Sequence, residues 1–573
     1  MVALLLFSGL ATFAVAYFTY GKFLSRLFDV GSDEPTPAHT LNDGRDYHPA
    51  KAPVLLGHHF SSIAGAGPIV GPIFATLVFG WLPAVIWVVV GSIFIGGVHD
   101  YGALALSIKH KARSIAQVSR EHMSLMANKL FLVFIWLTLV YVLVVFLDLT
   151  AATFAPRIPA TMAPDLAAAL ARRGGGVASS SMMFILLALG LGVALHRFKV
   201  SLLRASLVFV PLLFAAIWAG QQVPVLPAWM PEVNGSVTKT WSLILLGYCL
   251  LASVLPVWFL LQPRDYLSSY LLYAALGGGM VGVAVSAISP VGGETLTLAY
   301  PAWLGFHSQK LGYLYPALFI TIACGACSGF HSVVASGTTS KQLDRESDAR
   351  AVGYGAMLLE GVLALLAITT VAILSKGDPI LELAPPAMFA TGLGRFLSHI
   401  GIPAELGKGF GLLALSTFLL TTLDTATRLG RYIFEELLEL KSLKGKGARW
   451  VSTLATLALP TLLSLMTFRD PAGKTIPIWR IIWPVFGSTN QLLGGLALLV
   501  ITVWLKRTGR PIWPTLYPML FMVSATLLSL GQLIWLHGLT LIGTIAAALF
   551  VLAVLLLWEA ARALMGGPAP ELR

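Results

Sequence analysis

Several stretches place ionisable or hydroxyl side chains inside sequence that is otherwise strongly apolar. GHHFSSIAGAGPIVGP (57–72) carries His58, His59, Ser61 and Ser62 ahead of Ala64, Gly65, Gly67, Pro68, Gly71 and Pro72. GGVHDYGAL holds His99 and Asp100, ACGACSGFHSVVASGTTSK holds Ser328, His331 and Ser332, GYGAMLLEGVLALL holds Glu360, and FLLTTLDTATRLGRY holds Asp424. In a membrane such groups mark ion pathways, proton relays or substrate contacts. Ser328 and Ser332, spaced i and i+4, share one helical face. Beside freed backbone carbonyls near Ala64 and Gly65 they would line an alkali-cation site or a water-filled proton path. Alternatively, each hydroxyl bonds a carbonyl of its own helix. Asp424 has two readings: a structural pair with Arg428 at i+4, or the group whose protonation is coupled to transport. His331 suits an interhelical hydrogen bond or a ligand contact. Glu360 has no cation beside it in sequence, which suits a proton carrier or a neutral structural carboxyl.

The elements that must position these groups are membrane helices, and one cannot be regular. Pro68 and Pro72 each remove a backbone donor, and the glycines permit close backbone approach. Interrupted helices are tolerated at membrane depth only where they line a cavity or are buried in protein, and transporters build midplane sites at such breaks. Five spans later, GYCLLASVLPVWFLLQP (247–263) interrupts an apolar run with Ser253, Pro256 and Pro263. The two spans run in opposite directions, the pattern of a LeuT-like five-plus-five inverted repeat. Helix-end amides at the breaks would hold a substrate carboxylate.

Composition sets the class. The 573 residues are 57% hydrophobic and 11% charged, against about 25% charged in soluble proteins. Fifteen candidate spans follow: 2–20, 58–79, 83–107, 130–154, 180–195, 202–220, 240–261, 268–288, 313–335, 351–374, 409–427, 450–466, 485–504, 515–535 and 539–561. Alternation places 27 of the 38 lysines and arginines on one side, which makes that side cytoplasmic. The N-terminus is then outside and the C-terminus cytoplasmic. The +12 net charge is therefore topological and implies no nucleic acid. Segments 290–312 and 378–405 are candidate re-entrant pieces. Residues 155–178, with Arg172, Arg173 and a glycine run, form an expected external loop, and 376–408 an external segment with its own short helix. The charges of 428–449 form an expected solvated face. Cys249, Cys324 and Cys327 all lie in apolar runs, which implies packing residues and neither a disulfide framework nor a metal site. Neither H-E-x-x-H nor G-x-S-x-G is present, so no hydrolase is implied.

Together, GHHFSSIAGAGPIVGP, GGVHDYGALALSIKHK, VLPVWFLLQPRDYLSSY, ACGACSGFHSVVASGTTSKQL, LLALSTFLLTTLDTATRLGRY and WPVFGSTNQLLGGLALL resemble the carbon starvation protein A (CstA) family. The resemblance implies an inner-membrane carrier of the APC superfamily, importing short peptides or pyruvate under carbon starvation and driven by a cation gradient. It implies a first helix and connector over 1–56, a transporter core over 57–440 with 58–79 and 240–261 broken, and further membrane helices over 441–573. In that frame Ser61, Ser62, Gly65, Gly67, Ser253 and His331 are the expected substrate contacts. Ala64, Ser328, Ser332, Asp424 and Glu360 are the ion-coupling candidates, and His58, His59, His99 and Asp100 form a gating or proton path. No cofactor is expected beyond a bound sodium ion or a coupled proton. The lipid bilayer and a small-molecule substrate are the expected partners. The rival readings are a haem-binding electron-transfer or proton-pumping subunit using the four histidines, and a nutrient sensor that does not transport.

Overall fold

The computed structural model describes residues 1–31, 34–122, 125–158, 163–289, 295–439, 446–469, 473 and 475–565. The chain opens with α1 (Val2–Phe18) and α2 (Tyr20–Phe28), then a connector carrying the short α3 (Pro37–Thr40). Next come α4 (Ala52–Ile63), α5 (Gly67–Phe79), α6 (Trp81–Gly91), a π-turn (Ser92–Gly96) and α7 (Gly97–Lys109). α8 (Ile115–His122), α9 (Leu125–Phe154), α10 (Pro164–His196), α11 (Leu202–Gln222), α12 (Val237–Val254) and α13 (Leu261–Ile288) follow. A two-residue hairpin, His307–Ser308 with Gly312–Tyr313, leads into α14 (Leu314–Thr321), α15 (Ala323–Cys327) and α16 (Gly329–Gly337). A second π-turn (Arg350–Gly355) opens α17 (Ala356–Ala372), followed by α18 (Pro385–Ser398) and α19 (Ala404–Leu437). α20 (Lys446–Leu465), α21 (Ile478–Arg507), α22 (Trp513–His537) and α23 (Leu541–Met565) complete the described residues.

Among the described residues, 13 helices are long and apolar enough to cross a membrane, and 14 spans result if the bent pair α4–α5 counts as one. The remaining expected span, 313–335, is not one helix. It divides at Ile322 and at Ser328, whose φ/ψ of −66°/119° is extended. The α4–α5 pair bends by 42°, because Ala64 leaves the helical region and Pro68 can only begin a new helix. The expected break within 240–261 is absent. α12 is continuous to Val254 and stops there, because Pro256 denies the next turn a donor and pushes Leu255 into extended backbone. The second interruption near the centre is therefore the α14–α16 segment.

Two further expectations change. The external loop 155–178 is helical from Pro164 onward, where it is described. Its glycine run is a packing surface, since a Cβ on Gly175 would lie 2.2 Å from the Val225 carbonyl oxygen. The 428–449 segment is not a solvated face: α19 continues to Leu437 with Arg428 and Arg431 buried, and 440–445 lies outside the described residues. Segment 378–405 contains α18, a helix of 14 residues. Of 290–312, residues 290–294 lie outside the described residues, and the rest is extended chain and hairpin.

Helices buried on all sides form the centre. The apolar stretch of α21 is 100% buried, that of α17 is 89%, and that of α11 only 11%. α11 exposes Leu203, Leu207 and Trp218, an outer helix for lipid contact.

Candidate functional site

The α4–α5 break is lined by α19. Interrupting a helix orphans the carbonyls of its last turn. Here Thr421 Oγ1 lies 3.0 Å from the Ser61 carbonyl and Thr422 Oγ1 3.1 Å from that of Ser62, each hydroxyl sharing its one proton with the Phe418 carbonyl of α19. Ser62 Oγ meets Thr425 Oγ1 at 3.2 Å. Close approach requires glycine: a Cβ on Gly65 would fall 2.8 Å from Thr422 Oγ1, and one on Gly67 would fall 2.0 Å from Cys324 Cβ. The two interrupted segments thus touch, α5 lying on α15.

Asn490 of α21 holds the second interruption. Its Oδ1 accepts from the Phe330 amide at 2.9 Å and from Ser328 Oγ at 3.1 Å, and its Nδ2 reaches Cys324 Sγ at 3.1 Å. Ser332 Oγ donates to the Gly329 carbonyl at 2.7 Å. The hydroxyls expected beside Ala64 are therefore engaged elsewhere, and those at the first break come from α19. Ser253 meets Thr453 of α20 at 3.2 Å, on an uninterrupted helix.

Two buried ionic clusters flank the first break. In one, the Arg264 guanidinium lies between Asp265, reached by Nε at 2.8 Å, and Asp424, with which Nη1 pairs directly. Tyr248 Oη accepts from Arg264 Nη1 at 2.8 Å and donates to Asp424 Oδ2 at 2.9 Å. His58 Nδ1 bonds Asp265 Oδ2 and its Nε2 meets Gln342 Nε2 at 3.3 Å, while Ser61 Oγ donates to the Asp265 carbonyl at 3.1 Å. Arg264, Asp265 and Asp424 are each 0% exposed. The proposed i+4 pairing of Asp424 with Arg428 is thus replaced. Arg428 instead pairs with Asp46 of the connector at 2.8 Å and donates to the Ala252 carbonyl at the end of α12 at 2.7 Å.

The second cluster joins α7, α16 and α17. His331 Nδ1 lies 3.1 Å from Asp100 Oδ2, and its Nε2 lies 3.3 Å from Glu360 Oε2. His99 Nδ1 is 2.9 Å from Asp100 Oδ1, without the alignment of a hydrogen bond. His59 Nδ1 meets Thr339 Oγ1 at 2.9 Å, and its Nε2 has no partner. Both nitrogens of His58 and of His331 face protein groups. Among the described residues no three His, Cys, Asp or Glu side chains converge to hold a metal ion.

Arg264, Asp265, Tyr248, Asn490 and Asp46 are site residues that the sequence reading did not select. A signal existed for two of them: PRDYLSSY places Arg264 and Asp265 at the head of a long apolar run. The spans 240–261 and 268–288 place them in a short loop, where charge needs no explanation.

These features define a polytopic helical membrane protein built around two interrupted segments and a buried ionic core. The chain belongs to the family described as carbon starvation protein CstA, whose model matches residues 1–388 and 379–529. It is 32% identical to the peptide transporter CstA of Mycobacterium tuberculosis, over 90% of this chain and 73% of that one. It is 29% identical to the pyruvate/proton symporter BtsT of Escherichia coli, over 91% and 80%. Its fold is similar to that of a manganese transporter of Eremococcus coleocola, with a TM-score of 0.50 at 11% identity over 91% of this chain and 99% of that one.

Proposed function

We propose that the chain is a secondary active transporter that imports a small carboxylate-bearing nutrient, pyruvate or a short peptide, across the inner membrane by alternating access, driven by protons. The observation that carries this reading is the α4–α5 break, set between two buried clusters of titratable groups. The names of the relatives support the substrate classes. Protons are favoured over sodium because carboxylates and histidines crowd the break, while Ser328 and Ser332 are already bonded. The two interrupted segments lie seven spans apart, so the repeat we propose is an inverted one in a register other than the five-plus-five first expected. Each interrupted segment is followed by a span carrying a π-turn, 92–96 in one case and 350–355 in the other. By alternation the two segments run in opposite directions, with the connector on the cytoplasmic side. The substrate site then lies where α5 meets α15, and substrate entry must separate Gly67 from Cys324.

The test is uptake of labelled pyruvate and dipeptides into proteoliposomes with an imposed proton or sodium gradient. Accumulation of one class with an inward proton gradient is expected. Absence of gradient-driven uptake of both would sink the proposal.

A further inference from the structure

We infer that Asp100, His331 and Glu360 form the site where the coupling proton is carried. The inference rests on the proton-driven reading above and adds the location.

The charge inventory makes the argument. Asp100 and Glu360 are both 0% exposed, and among the described residues their only ion-pair partners are histidines. The titratable groups facing them are His99 beside Asp100 on α7, His331 on α16, His59 on α4, and Cys324 and Cys327 on α15. None of these is a permanent cation. Two buried carboxylates without a fixed counter-charge are too costly to keep ionised, so this cluster must balance its charge with protons. The neighbouring cluster differs in holding a fixed cation: Arg264 offsets one of the two charges of Asp265 and Asp424, and His58 faces Asp265.

Hydrogen bonding agrees. Both carboxyl oxygens of Glu360, Asp100 Oδ1 and both nitrogens of His99 are buried without a hydrogen-bond partner. Buried polar atoms are rarely left so, and a group that alternates between protonation states cannot be fully satisfied in both. His331 is hydrogen-bonded to Asp100 and within reach of Glu360 without being aligned to it. A proton on Glu360 passes to Nε2 of neutral His331, 3.3 Å away, as Nδ1 releases one to Asp100, 3.1 Å away. Asp100 then releases its proton, Glu360 takes up another, and ring rotation returns the imidazole to its starting tautomer.

The cluster is also placed to move helices. Asp100 lies in the first turn of α7 after one π-turn, Glu360 in the second turn of α17 after the other, and His331 in the first turn of α16 after Ser328. Tyr354 Oη of the second π-turn donates to the Ile93 carbonyl in the first at 3.3 Å. π-turns are where a helix can shift register, so the charge state of Glu360 acts on joints.

The experiment uses the reconstituted full chain and whichever of pyruvate or dialanine the wild type accumulates. With Glu360→Gln, counterflow between equal pH compartments is expected to continue, while accumulation driven by a proton gradient falls to the level without a gradient. Asp100→Asn is expected to behave likewise, and Glu360→Asp to shift the pH dependence of uptake. Gradient-driven accumulation by Glu360→Gln at the wild-type level overturns the inference and leaves the transporter reading standing. If Glu360→Gln does not fold, an unchanged pH profile in both Glu360→Asp and Asp100→Asn overturns it. A wild type that ignores the proton gradient but transports would instead remove the proton-driven reading itself.

Discussion

Arg264 shows how strongly a single side chain can depend on its surroundings. It is buried between two carboxylates with a tyrosine hydroxyl in contact. Removing one member of a buried ion pair leaves the rest uncompensated, a cost of about 3–5 kcal/mol. Arg264→Met is therefore expected to lower the thermal midpoint in detergent sharply, and the added Asp424→Asn to recover part of the loss. Equal destabilisation by the single and double variants would remove Asp424 from the pair. Gly67 is a second case, because a Cβ there would overlap Cys324. Overpacking costs about 1–3 kcal/mol, so Gly67→Ala should destabilise and Cys324→Gly should rescue it in the same assay. Asn490 bonds both sides of the Ser328 interruption. Asn490→Ala is expected to weaken transport more than Asn490→Asp, which keeps the acceptor for the Phe330 amide; uptake rates normalised to folded protein decide this.

At the scale of elements, the connector over 42–51 acts as a strap. The Arg45 carbonyl accepts from the Val257 amide at 3.0 Å, His48 N donates to the Lys341 carbonyl at 3.2 Å, and Ala50 N donates to that of Gln342 at 2.9 Å. It thereby ties the α12–α13 turn to the segment after α16. Asp46 locks it to α19 through Arg428 at 2.8 Å and Arg431 at 3.6 Å. Burial opposes the charge on Asp46, yet Arg431, Arg428 and Lys341 together hold its carboxyl well below the usual range. A lowered carboxyl stabilises the fold above the unfolded value of about 3.9 and loses that contribution as pH falls below it. The strap is therefore locked throughout the neutral range. Asp46→Asn is expected to raise thiol labelling of a cysteine placed at Ala50 at pH 7, and labelling equal to that of the Asp46 parent would show that the lock does not hold the strap.

For the whole molecule, the charge distribution predicts an orientation. The three native cysteines are free and buried, so the background for labelling is low. An impermeant thiol reagent on intact cells is expected to label Ala168→Cys and to spare Gly447→Cys until the membrane is opened. The reverse pattern would invert the topology and, with it, the direction assigned to each interrupted span.

The α4–α5 interruption was legible in the sequence, because proline and glycine act locally on the backbone: Pro68 can begin a helix but not continue one. The same holds for the membrane class and for the histidines and carboxylates of the core, since each is costly in lipid wherever it stands. Pairing was not legible. Asp424 has Arg428 one turn away in sequence, yet its partner is Arg264, and Arg428 turns to Asp46 instead. The second interruption escaped because Pro256 could equally end a helix or break one, and only the packing of α12 against its neighbours shows that it ends one. Ser328 carries no local signal, since its extended backbone is held from a distance by Asn490. Local backbone chemistry can be read along the chain; a buried charge's partner is whichever opposite charge the packed helices bring within reach, and that is decided in three dimensions.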